Sequence, residues 1–119
     1  MLEVEIQDED TYTVCRPKGE LDAYTVGSFR DALAGLEEEI ALLIDLSDVP
    51  FMDSAGLGAL IGGIRKTRSS NGKVVVACNR PALTRLLHTT GFDRIVSVTE
   101  TVEEAAETLD AEEEITETQ

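Results

Sequence analysis

The chain has no tryptophan and only five aromatic residues, two Tyr and three Phe. Basic residues are also scarce, 10 Lys and Arg against 24 Asp and Glu. Nucleic acid binding relies on clustered cations for the phosphates and on aromatic platforms for the bases, so direct contact with nucleic acid is not expected. There is one histidine, His88, and two cysteines, Cys15 and Cys78, far apart and without CxxC spacing. That inventory excludes the usual metal and redox motifs, and both cysteines read as small buried hydrophobes. No apolar run approaches the ~20 residues of a membrane span. The opening MLEVEIQDED is neither basic nor signal-like. The expectation is a soluble, cytoplasmic monomer with no membrane contact, no metal and no cofactor.

What is present fits one domain. With 119 residues, 42% of them hydrophobic, the chain can build a single modest core. Its formal charge of −14 is unevenly placed. Residues 99–119 hold nine acids and no base, leaving 15 acids against 10 bases in the rest. Residues 54–92 contain six bases and no acid. This asymmetry reads either as a solvated helix face and loop or as a surface complementary to an acidic partner.

Periodicity gives the order of elements. LEVEIQ (2–7) and TYTVCRPK (11–18) alternate apolar and polar residues, the period of half-exposed strands, with DED as the turn between them. Residues 25–40 place apolar side chains on one helical stripe, with Thr25 or Asp22 as N-cap. ALLIDL (41–46) and KVVVAC (73–78) are short continuous apolar runs, the mark of interior strands. A second helix starts at Ser54 and closes on Arg65, Lys66 and Arg68, where cations suit the helix dipole. Pro81 opens a third helix ending at Gly91, RIVSV (94–98) reads as a final strand, and an acidic amphipathic helix, TVEEAAETLDAEEE (101–114), frays into ITETQ. The order β, β, α, β, α, β, α, β, α predicts a small α/β domain: a mixed sheet of four to five strands, right-handed crossovers and about four helices.

In such sheets functional groups collect after the carboxyl ends of strands. Asp53 and Ser54 lie there, just past ALLIDL, with GELD (19–22) following the second strand. A Ser or Asp at a helix start acts as a cap. A phosphoryl group at the same place is stabilised by free N–H groups and the positive dipole end. The residues alone leave both roles open. Catalysis by this chain finds no support. The nucleophile elbow needs GxSxG, Met52 stands two before Ser54, and His88 sits at a helix end as a solvent-side residue. No GxxxxGK[ST] loop exists for a nucleotide. A receiver-type aspartyl phosphate is excluded as well, because DED joins two antiparallel strands and no Lys follows Lys73.

Three stretches, GELDAYTVGSFRDAL, LLIDLSDVPFMDSAGLGALIGGIRK and RLLHTTGFDRIVSV, strongly resemble the STAS-domain anti-sigma factor antagonists of bacteria. The resemblance covers about residues 2–109 and assigns residues 110–119 to a flexible acidic tail. It implies a mixed sheet with helices largely on one side, and no enzymatic activity. Ser54 would be the phosphoacceptor, modified by an ATP-dependent serine kinase anti-sigma factor and restored by a metal-dependent serine phosphatase. Asp53 matches the preceding acid, Gly56 the motif glycine, and Glu20 and Asp22 the GELD loop bordering the partner-binding surface. The unmodified form would bind the kinase and free the sigma factor. The alternative is a scaffold or sensor that binds a protein or small ligand constitutively, with Ser54 only a cap.

Overall fold

Strand β3 (Ala41–Asp45) explains the architecture, because its side chains are buried on both faces. Leu42 and Ile44 point to one layer and Leu43 to the other, and β4 (Lys73–Ala77) repeats the pattern with Val74 and Val76 opposite Val75. A strand covered twice has no polar face, which is why both runs are continuously apolar. The computed structural model describes residues 2–117. It forms a five-stranded sheet in the order β1-β2-β3-β4-β5. Strand β1 (Glu3–Asp8) pairs antiparallel with β2 (Thr13–Lys18), Glu3 opposite Lys18, and β2 through β5 run parallel.

Helices α1 (Val26–Ala34), α2 (Ser54–Ser69) and α3 (Pro81–Thr89) share the larger core with one sheet face, burying Phe29, Leu33, Leu60, Ile64, Leu83 and Leu87. Helix α4 (Val102–Glu117) covers the other face, where Ala105 and Leu109 meet Val14, Leu43, Val75 and Ala77. The helices are thus mostly, though not wholly, on one side. Each large side chain fully withdrawn from water contributes about 1.5–3 kcal/mol. The anticipated frayed end ITETQ is helical through Glu117, and residues 118–119 lie outside the described residues. Cys15 and Cys78 are buried and unbridged, and burial pushes the Cys15 thiol from 9.0 up to about 12.

Two boundaries differ from the sequence expectation. Helix α1 stops at Ala34 instead of reaching Ile40. Gly35 caps it, and the chain turns through Glu39 at φ 58° so that Glu39 N–H donates to Ser70 O and Lys73 N–H to Ile40 O. Entry into β3 takes precedence over the helical period. RIVSV is not a full strand. Phe92–Arg94 is one 3₁₀ turn, and β5 is only Val98–Thr99, paired to Val76 and Ala77. Phe92 and Val96 serve as core plugs, and the segment follows their spacing in place of strand alternation.

Candidate functional site

Past β3, the chain crosses a loop whose Leu46, Val49 and Met52 are all buried. These anchors pull the loop against the segment before α1, where Leu21 and Met52 form a parallel bridge. Leu21 N–H donates to Phe51 O at 3.0 Å, and Asp53 N–H donates back to Leu21 O at 3.3 Å. The two stretches singled out in the sequence, GELD and FMDSAG, are therefore one paired structure at the carboxyl end of the parallel strands. DED, which precedes β2, lies at the opposite end.

Asp53 holds this junction together. It is the N-cap of α2 in extended backbone, and its Oδ1 accepts from Gly56 N–H at 2.9 Å. Its Oδ2 accepts from Ala23 N–H across the junction at 3.3 Å. Gly56 is buried where a Cβ would stand 2.1 Å from Leu21 O, so only glycine lets α2 approach the loop this closely. Asp22 orders the same loop, its Oδ1 accepting from Tyr24 N–H at 2.9 Å and Thr25 N–H at 3.2 Å. Glu20 is exposed, and its carbonyl accepts from the Thr25 hydroxyl at 2.8 Å.

Ser54 is the first residue of α2 and is exposed. Among the described residues, no side-chain hydrogen bond engages its hydroxyl. Helix geometry leaves the Ser54 and Ala55 N–H groups without a carbonyl one turn back, and no acid lies in the first turn. The arrangement presents a free hydroxyl beside unpaired donors and the positive end of a sixteen-residue helix. Such a place accommodates a phosphoryl group without disturbing the fold.

The expected residues Asp53, Ser54, Gly56 and Asp22 meet at this junction, with Glu20 on the same loop. His88 does not join them: it is exposed on α3, its Nδ1 2.8 Å from Asp93 Oδ2. Sequence reasoning missed a charged cluster on the α4 side of the sheet. There the buried Asp45 accepts from Arg16 Nε at 2.8 Å, and Glu5 meets Arg16 and Lys18 at 3.0 and 2.9 Å. The Asp45 hydrogen bond raises the Arg16 guanidinium further, while Lys18 lowers Glu5. It also missed Tyr24 and Phe51, the two exposed aromatics. Their signal was that neither fits a helical stripe or a strand. Among the described residues no group of His, Cys, Asp and Glu is disposed to hold a metal, and no helix is long and apolar enough to cross a membrane.

The comparisons with known proteins agree with this geometry. The family model described as STAS domain matches residues 2–105. The anti-sigma-B factor antagonist of Listeria monocytogenes is 34% identical over 100 residues, covering 82% of this chain and 88% of that protein. Its counterpart in Bacillus subtilis is 30% identical over 98 residues, covering 82% and 90%. Among solved structures, an anti-sigma factor antagonist from Mycobacterium paratuberculosis superimposes with a TM-score of 0.80 at 29% identity, covering 92% of this chain and 95% of that one. The chain belongs to the STAS-domain anti-sigma factor antagonist family, whose members are regulators and not enzymes.

Proposed function

We propose that this protein is a phosphorylation-gated binding switch. In its unmodified form it binds a serine kinase anti-sigma factor in the cytoplasm and thereby releases a sigma factor. The kinase transfers a phosphoryl group from ATP to Ser54, and a metal-dependent serine phosphatase removes it. The observation that carries the reading is the division of labour at the α2 start: Asp53 caps the helix, and the exposed Ser54 hydroxyl is left without a structural partner. The alternative is a scaffold or sensor that binds a protein or small ligand constitutively; with Asp53 as the side-chain cap it leaves the exposed Ser54 hydroxyl without a role, and it predicts no phosphate on Ser54.

The gate works through charge. A phosphoserine adds about −1.5 to −2 charges and three acceptor oxygens beside Asp53 and Asp22. A partner that buries this junction must then desolvate a near-dianion. A penalty of about 3–4 kcal/mol weakens binding by roughly two to three decades. Incubation with the purified anti-sigma serine kinase and MgATP tests the first half of the cycle. One phosphate should appear on Ser54, none on Ser54→Ala, and none with MgATP alone. Phosphate mapped to another residue, or none at all, contradicts the proposal.

A further inference from the structure

Three of the five aromatic residues have an internal place: Phe29 and Phe92 are fully buried and Tyr12 is half-buried. The remaining two, Tyr24 at 97% exposure and Phe51 at 49%, belong to the paired segments that form the Ser54 junction. Their exposure is not slackness. The backbone around Tyr24 is fixed by hydrogen bonds from Ala23 N–H to Asp53, from the Tyr24 and Thr25 N–H groups to Asp22, and from the Thr25 hydroxyl to Glu20 O. Phe51 is held by its carbonyl's bond from Leu21 N–H and by buried neighbours Val49 and Met52. A rigid loop that presents an aromatic ring to solvent, almost entirely for Tyr24 and by about half for Phe51, loses little backbone freedom when a partner covers that ring. Tyr and Phe so placed are the residue types that anchor protein interfaces.

We infer that Tyr24 and Phe51 are the apolar anchors by which the Ser54 face grips its partner, and that the partner offers an apolar pocket rimmed by Lys and Arg. The rim follows from charge. Glu20, Asp22, Asp48 and Asp53 lie on the segments that carry the anchors. Two cations stand six residues from Tyr24: Lys18, already paired to Glu5, and the exposed Arg30 on α1, so acids outnumber bases around the rings. A second copy of this chain is a poor occupant, since a two-fold contact sets the same patch against itself and brings these acids together. The occupant is the anti-sigma serine kinase, so the inference rests on the proposed function. It adds a separation of roles: the anchors set affinity in both modification states, and Ser54 sets the ratio between them.

The test measures binding of the purified anti-sigma serine kinase to the full chain and to Tyr24→Ala, Tyr24→Phe, Phe51→Ala and Ser54→Asp. Tyr24→Ala and Phe51→Ala should each raise Kd tenfold or more, and Tyr24→Phe should stay within threefold of the native chain. For phosphorylation of Ser54, Tyr24→Ala should raise KM tenfold with kcat within twofold. Its melting temperature should be unchanged, because the Tyr24 ring is fully exposed. Kd within twofold of native for both alanine variants overturns the inference. So does sedimentation of the native chain as a dimer that Tyr24→Ala dissociates. If Tyr24→Ala weakens binding while Ser54→Asp binds as the native chain does, the anchors stand and the gate falls. If the native chain does not bind the kinase, both fall.

Discussion

Asp53 and Ser54 are neighbours with opposite duties. Both Asp53 oxygens are engaged, one with Gly56 N–H and one with Ala23 N–H, whereas the Ser54 hydroxyl is engaged by nothing among the described residues. Asp53→Ala removes a helix cap and frees the loop before α1, and should lower unfolding free energy by about 1–2 kcal/mol in urea. Ser54→Ala should change it by less than about 0.5 kcal/mol. The reverse order would mean that the serine is the cap. The Asp-Ser pair was legible in the sequence as a strand-to-helix junction, but not which member did the capping. Both residue types accept from a backbone N–H, and only the register of the α2 start decides between them. Asp45 was illegible for a related reason: inside an apolar run it reads as a strand end, and its partner Arg16 lies 29 residues away.

At the scale of elements, helix α2 carries glycines that its propensity disfavours, and they divide by cause. Gly56 meets Leu21 O, so Gly56→Ala forces the loop away and should destabilise by more than about 2 kcal/mol. A Cβ at Gly58 or Gly62 meets nothing within 4 Å, so alanine there should stabilise by up to about 1 kcal/mol each. Thermal unfolding of the three variants checks the division, and a loss at Gly58 or Gly62 equal to that at Gly56 would contradict it. In the sequence Gly56, Gly58, Gly62 and Gly63 stand alike, four residues that weaken a helix and for which close packing on the sheet is the expected reason. Close packing holds for Gly56, against the Leu21 loop, and for Gly63, against Leu33 of α1, so the neighbour is not the sheet, and it does not hold for Gly58 or Gly62, because spacing does not reveal which face has a neighbour. The same limit explains β5: RIVSV has strand chemistry, yet Phe92 and Val96 fix the segment by burial, and only Val98–Thr99 pairs. Elements whose period and length agreed, such as ALLIDL and KVVVAC, were legible without the fold.

In the whole molecule, the junction stands at the carboxyl end of a sheet clamped between three helices and a fourth, with its caps, bridge and buried loop residues already in place. In the proposed switch a frame fixed in this way would change partners without refolding, and a local change of charge at Ser54 would be the signal. Its separation from the acidic helix α4, which covers the opposite face, leaves the Ser54 surface open to docking. The most direct measurement compares the affinity of the purified anti-sigma serine kinase for the unmodified chain and for the chain phosphorylated at Ser54, at one salt concentration. The account predicts a Kd for the phosphorylated form higher by roughly two to three decades. Equal affinity for the two forms would contradict it.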